Sequence, residues 1–182
     1  MITKNSITIL GLISMILLIS GCIWADSNND DSFPSIKPGY GVVGNSEFVL
    51  ESGWYQRSVS KQDTSASFIF NGTSDGNVIS MRAYQFTNNK DYDEKYNHYN
   101  QPTDIYRVNS TNIENIENVN VKTIRLSRLD DTETIKHYFF EKNGKYYHIF
   151  IDIGGYKGAS KSFDNKKQLI ERTINSIVST IH

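Results

Sequence analysis

Thr134-Ile135-Lys136-His137-Tyr138-Phe139-Phe140-Glu141-Lys142-Asn143-Gly144-Lys145-Tyr146-Tyr147-His148-Ile149-Phe150-Ile151-Asp152-Ile153 is two aromatic and β-branched runs divided by Asn-Gly. Such runs favour pleated strands. Asn-Gly is the preferred type I′ pair, because both central residues must take positive φ. A two-residue turn sets Lys142 opposite Lys145, and the rest of the register follows. Tyr138 and Phe140 then share a face with Tyr147, Ile149, Ile151 and Ile153. His137 and Phe139 share the other face with His148, Phe150 and Asp152. The first face is the more apolar and is expected to meet the core. The second is expected to be a half-exposed outer face.

The same reading extends in both directions. Upstream, Phe48-Val49-Leu50 is a short strand, the turn Glu51-Ser52-Gly53 follows, and Trp54-Tyr55 opens the next extended piece. Ser65 to Phe70 alternates Ala66, Phe68 and Phe70 on one face, as a half-buried strand does. The polar run 71–77 is a turn by composition, and Val78 to Phe86 completes a hairpin. Tyr92, Tyr96 and Tyr99 recur at helical spacing and predict a short helix over 91–100, its tyrosines facing the core or, as the alternative, stacking on sugars or peptides. Pro102 ends it. Val119 to Leu129 predicts a strand. Downstream, Gly154-Gly155-Tyr156-Lys157-Gly158 breaks the chain. One amphipathic helix is then predicted, capped by Ser162 or Asp164, with Phe163, Ile170, Ile174, Ile177 and Ile181 on its apolar stripe. Aromatics are 12% of the chain, led by 11 tyrosines, a composition that suits a sheet-rich domain with few helices.

Phe48-Val49-Leu50, Gly53-Trp54-Tyr55, the Asn143-Gly144 hairpin and the Phe163 to Ile181 helix, in this order, resemble the PsbP/Mog1-like α/β sandwich. Among such proteins the chain is most similar to the PsbP-related lipoproteins of prokaryotes. The resemblance spans roughly residues 45–181. It implies an α+β domain in which a twisted antiparallel sheet is flanked by helices. It implies binding or assembly rather than catalysis, and it carries over no catalytic residues.

Residues 1–22 point to an address. An apolar run from Ile7 to Ile19 follows Lys4, and Ile19-Ser20-Gly21-Cys22 closes it with the only cysteine in the chain. The run is short for a membrane-spanning helix, which needs about 20 apolar residues. It also lacks the small-residue cleavage site of an ordinary secretory signal. It resembles a lipobox, the processing site of prokaryotic lipoproteins. The expected organisation is a signal peptide over 1–21, a lipidated Cys22 with a flexible tether over 22–43, and a globular domain over 44–182. The tether reading rests on the polar, acidic and proline-containing run 25–38, which cannot bury apolar surface. Such a stretch reaches about 50 Å at full extension.

Charge excludes one class of partner. The chain carries 19 Lys+Arg against 20 Asp+Glu, a net charge of −1. Loss of residues 1–21 removes only Lys4 among the charged groups and makes the balance one unit more negative. A nucleic-acid surface needs a basic patch to displace counterions, so no nucleic-acid partner is expected. No phosphate-cradling loop and no Gly-x-Ser-x-Gly elbow occurs, and no cofactor is implied.

Three residues suggest chemistry. His137 and His148 fall diagonally on one face of the hairpin with Asp152 farther along. Diagonal neighbours stand about 7–8 Å apart at the backbone, within reach of a shared metal ion. The bland alternative is a polar outer face. Asp130-Asp131 reads as a solvated turn. Asn71-Gly72-Thr73 and Asn109-Ser110-Thr111 match the N-glycosylation sequon.

The expected function is a membrane-anchored extracytoplasmic lipoprotein, held to the membrane by lipid on Cys22, whose one domain binds a protein or envelope partner without catalysis. The alternatives are a metal-assisted hydrolase of envelope material using His137, His148 and Asp152, and a carrier of a lipid or small ligand between sheet and helix. Cys22→Ser is expected to leave an unlipidated precursor. Uptake of labelled lipid by that variant contradicts the lipobox reading.

Overall fold

Asn143 and Gly144 both adopt positive φ, 56° and 71°, and Lys142 pairs with Lys145 as a type I′ turn requires. Strands β8 (Glu133–Lys142) and β9 (Lys145–Gly154) lie at the centre of the fold, which we describe from a computed structural model covering residues 39–60, 64–71 and 76–182. Around them are β3 (Trp54–Ser60), β4 (Ser65–Phe70), β5 (Val78–Phe86), β6 (Tyr106–Ile116) and β7 (Val119–Arg128). The seven strands form one antiparallel sheet in the order β3-β4-β5-β9-β8-β7-β6. A separate hairpin joins β1 (Tyr40–Val43) to β2 (Ser46–Val49). Three helices complete the described residues: α1 (Asn89–Tyr99), α2 (Ala159–Asn165) and α3 (Lys167–Thr180). The domain is α+β.

The more apolar face of the central hairpin meets the main core. Phe140, Ile149, Ile151 and Ile153 are fully buried, with Tyr138 and Tyr147 nearly so. They pack with Ile170, Ile174, Ile177 and Val178 of α3, and with Phe48, Leu50 and Trp54. Polar contacts position this layer. Trp54 Nε1 donates to Thr173 Oγ1 at 2.9 Å. Ser176 Oγ donates to the Val49 carbonyl at 3.0 Å. Lys142 Nζ donates to the carbonyls of Val178 and Ser179 at 2.6 and 2.8 Å. A cation at those terminal carbonyls satisfies acceptors that α3 leaves open and complements its dipole.

The second face is a correction. Sequence patterning predicts a half-exposed outer surface, yet His137 and His148 are 1% and 0% exposed. Helix α1 lies on this face. Its Tyr92, with partly buried Tyr96 and Tyr99, packs against Phe139, Ile124 and Leu126. The tyrosines face the core as their spacing predicts. Both faces of the sheet centre are therefore covered. That explains the imperfect alternation of β7, where Val121 is buried on the α3 side and Ile124 and Leu126 on the α1 side.

Three other expectations change. The domain begins before Gly44, because Tyr40–Val43 forms β1 and Val43 is fully buried. Strand β6 carries no sequence signal: it is an edge strand with no fully buried residue, and Glu117-Asn118 turns it at positive φ (50° and 65°) without glycine. The single C-terminal helix is two, broken at Lys166, whose N–H bonds back to the carbonyls of Ser162 and Phe163. Neither Ser162 nor Asp164 caps the start. Asp131 does so from the β7–β8 turn: its carbonyl accepts from Gly158 and Ala159, and its Oδ1 accepts from Ser160 N at 3.0 Å. Those bonds to Ser160 hold its carboxyl below the ordinary aspartate value. The sequence-local choice failed because the cap comes from a residue some thirty positions upstream.

Ile174→Ala removes buried methyl groups from the sheet–α3 contact and is expected to cost about 2–5 kcal/mol in denaturant unfolding. Ile113→Ala on β6, where the side chain is 72% exposed, should change stability by less than about 0.5 kcal/mol. Equal effects would contradict the placement of the core.

Candidate functional site

The α1 side of the sheet has two parts. At one end α1 seals a stack of rings. His137 and His148 are cross-strand diagonal neighbours, and their rings meet: His137 Nδ1 lies 2.9 Å from His148 Nε2. Tyr99 stacks on His137 at 4.1 Å between centroids, and Phe139 on His148 at 4.1 Å. Lys95 of α1 sits over the Tyr99 ring at 5.3 Å, outside the stack.

Two neutral imidazoles joined by one hydrogen bond have one donor and one acceptor left over. Those atoms are His137 Nε2 and His148 Nδ1, and neither has a partner among the described residues. Burial, together with the Lys95 charge, lowers the His137 pKa to about 3. Burial, with His137 and Lys95, pushes His148 down as well. Both rings are neutral at ordinary pH, and neither suits proton transfer there.

Asp152 is not with them. It lies four residues beyond His148 on β9, about 13 Å along the strand, with Phe150 between. Among the described residues no three His, Cys, Asp or Glu side chains are grouped to hold a metal ion. A zinc centre needs three or four protein ligands, so the trio His137, His148 and Asp152 is not assembled as one.

Asp152 belongs to the other half of this face, where α1 no longer covers the sheet. An open groove of about 530 Å³ runs across β3, β4, β5, β9 and β8. Ser80 is paired with Asp152 and Arg82 with Phe150 across β5 and β9. Glu133 enters from β8, Arg128 from β7 and Arg57 from β3. Arg57 stands in a β-bulge, where the β3–β4 register shifts between Gln56 and Ser58, and bulges of this kind re-aim a side chain.

Burial and the neighbouring Glu133 carboxylate raise the Asp152 carboxyl to about 6, against a hydrogen bond from Ser80 and the charge of Arg82. Glu133 accepts a very short hydrogen bond from the Tyr106 hydroxyl. Burial and that bond raise the Tyr106 phenol to about 12. Arg128 is held by Asp130 through Nε–Oδ1 and Nη2–Oδ2 contacts of 3.2 Å each. Arg57 and Arg82 make no salt bridge among the described residues. A second groove on the α3 side differs here: it too is lined by charged groups, but Arg125 is bridged to Asp164 and Lys136 to Glu114 at 2.8 Å each.

No protein-family model matches the chain, and no curated protein matches it in sequence. Several solved structures are similar in shape. Cyanobacterial PsbP (CyanoP) of Synechocystis sp. PCC 6803 is 13% identical, over 82% of this chain and 98% of that one, with a TM-score of 0.44. LpqN of Mycobacterium tuberculosis, involved in cell envelope biogenesis, is 9% identical over 75% and 81%, at 0.43. PA94 of Pseudomonas aeruginosa, of unknown function, is 9% identical over 76% and 94%, at 0.46. At these values the α+β assignment stands on the strands and helices themselves.

The remaining predicted sites fall as follows. Cys22 lies outside the described residues, as does the rest of the run 1–38. Among the described residues no helix is long and apolar enough to cross a membrane. Asn71 is exposed at the end of β4. Asn109 lies in a bulge of β6, and its Nδ2 donates to Ser127 Oγ at 2.7 Å, so glycosylation there would displace a bond to a buried hydroxyl. Arg57, Arg82, Arg128 and Glu133 are the residues that sequence reasoning missed. Strand alternation could have placed Arg82 beside Asp152; nothing local marks the bulge that turns Arg57.

The histidines set an acid limit. In the unfolded chain both imidazoles take up protons near pH 6.5, but in the folded chain burial keeps His137 neutral down to about pH 3 and pushes His148 down as well. Between those values the unfolded state binds more protons, so stability falls on acidification. Asp152 opposes this, because its folded pKa of about 6 lies above the unfolded one and protonation there favours the folded state. Two strongly depressed imidazoles outweigh one carboxylate. Melting temperature is expected to drop as pH falls from about 6.5 to 4, and the double variant His137→Phe, His148→Phe should lose most of that slope. An unchanged slope in the variant would contradict the neutral buried pair.

Proposed function

We propose that the protein is a lipid-anchored extracytoplasmic binding module. Cys22 tethers it to the membrane, and the open groove on the α1 side holds a protein or envelope partner without catalysing a reaction. The observation that carries this reading is the groove itself. Its volume is that of a ligand site, where pockets run to roughly 300–1,000 Å³, and two of its guanidinium groups, Arg57 and Arg82, are in no salt bridge among the described residues. Ser80 is hydrogen-bonded to Asp152, but no histidine lines the groove among the described residues, and the two buried histidines lie beyond Phe150. The carrier reading has less support. The space between sheet and α3 is filled by Ile149, Ile151, Ile174 and Ile177, each at most 1% exposed.

A photo-activatable residue at Val78, which lines the groove and is 53% exposed, tests this in native membranes. A discrete adduct from Val78, absent when the same residue replaces Ile113 on β6 and reduced in the Cys22→Ser background, is expected. No adduct from Val78, or the same adduct from Ile113, contradicts the proposal.

A further inference from the structure

Opposite charges face the groove, and among the described residues Arg57 and Arg82 form no salt bridge with its carboxylates. Arg57 and Arg82 stand on the β3–β5 side, both exposed. Asp152 and Glu133 stand together on the β9–β8 side, close enough that the Glu133 carboxylate raises the Asp152 carboxyl. Arg82 and Asp152 are diagonal across β5 and β9, with Ser80 and Phe150 as their direct partners. Their interaction stops short of a salt bridge. Elsewhere on this domain such groups do pair, as Arg125–Asp164 and Lys136–Glu114 show.

A groove with two arginines outside any salt bridge among the described residues at one side, and two neighbouring carboxylates at the other, has room for two counter-charges of opposite sign. A simple anion would satisfy the arginines and meet repulsion from Asp152 and Glu133. A simple cation would meet the reverse. One molecule carrying both charges satisfies both sides. Planar guanidinium groups suit a carboxylate, which they can grip bidentately. Two like-charged carboxylates are relieved by an ammonium group placed between them. Ser67 and Ser80 add hydroxyls along the floor, suited to the amide groups of a short backbone.

We propose that the groove binds a zwitterionic amino compound of the peptide class, its carboxylate on Arg57 and Arg82 and its ammonium on Asp152 and Glu133. This rests on the reading of the groove as the binding site and specifies what it holds.

The test uses the full-length protein in detergent, with calorimetry at about pH 7.5, where Asp152 is ionised. The probes are trialanine with free ends, N-acetyl-trialanine, trialanine amide and inorganic phosphate. The free peptide is expected to bind at least about tenfold more tightly than either blocked form or phosphate. Arg82→Gln, and independently Arg57→Gln, should erase the penalty for the amide but keep that for the acetyl form. Asp152→Asn should do the opposite. Melting curves of the variants show whether each is folded. Equal binding of free and blocked peptides, binding of phosphate as tight as that of the peptide, or no heat from millimolar trialanine would overturn the assignment. Such a failure leaves the Val78 adduct and the Cys22 tether standing. Loss of that adduct with peptide binding intact would instead remove the partner and keep the groove chemistry.

Discussion

The register of the Asn143-Gly144 hairpin governs this domain. A one-residue slip would exchange the two faces of both central strands. With Lys142 opposite Lys145, Tyr138, Phe140 and the β9 isoleucines meet α3, while His137, Phe139, His148 and Asp152 line the α1 side. Every later feature follows: Lys142 reaches the end of α3, the tyrosines of α1 find aromatic partners, and Asp152 comes to lie beside Ser80 and Glu133.

The α1 side is then divided by what the helix can cover. Over the histidines the rings exclude water. The two imidazoles stay neutral, and His137 Nε2 and His148 Nδ1 find no partner among the described residues, at a cost of about 1–3 kcal/mol each. Stacking by Tyr99 and Phe139 is the compensation in view. Past Phe150 the helix ends, and the same sheet face becomes a polar groove. A partly shielded groove strengthens electrostatic contacts relative to open water, so its arginines and neighbouring carboxylates would act strongly on a charged ligand there. The sealed half packs the core, and the open half is where the proposed binding of a partner would take place.

Much of this was legible in the sequence. Asn-Gly, the tyrosine spacing and the isoleucine stripe each express a local rule, and each holds. The register even placed His137, His148 and Asp152 on one face. What escaped depends on contacts distant in sequence. Nothing near His137 shows that a helix from residues 89–99 covers it, so the face read as exposed. The cap of α2 comes from Asp131, not from Ser162 or Asp164. Strand β6 has too few buried residues to show a period. Arg57 reaches the groove only through a bulge. The metal trio failed for a simpler reason: sharing a face does not bring side chains together when Phe150 stands between them.

The central claim is that one sheet face carries a sealed neutral pair and an open charged groove side by side. A carbon-13 NMR titration of the side chains, in the full-length protein, tests it most directly. The account requires the Asp152 carboxyl to titrate at about 6, with His137 and His148 unchanged from pH 8 down to about 5. An Asp152 midpoint near the ordinary value of about 4, or imidazoles titrating near 6.5, would contradict it.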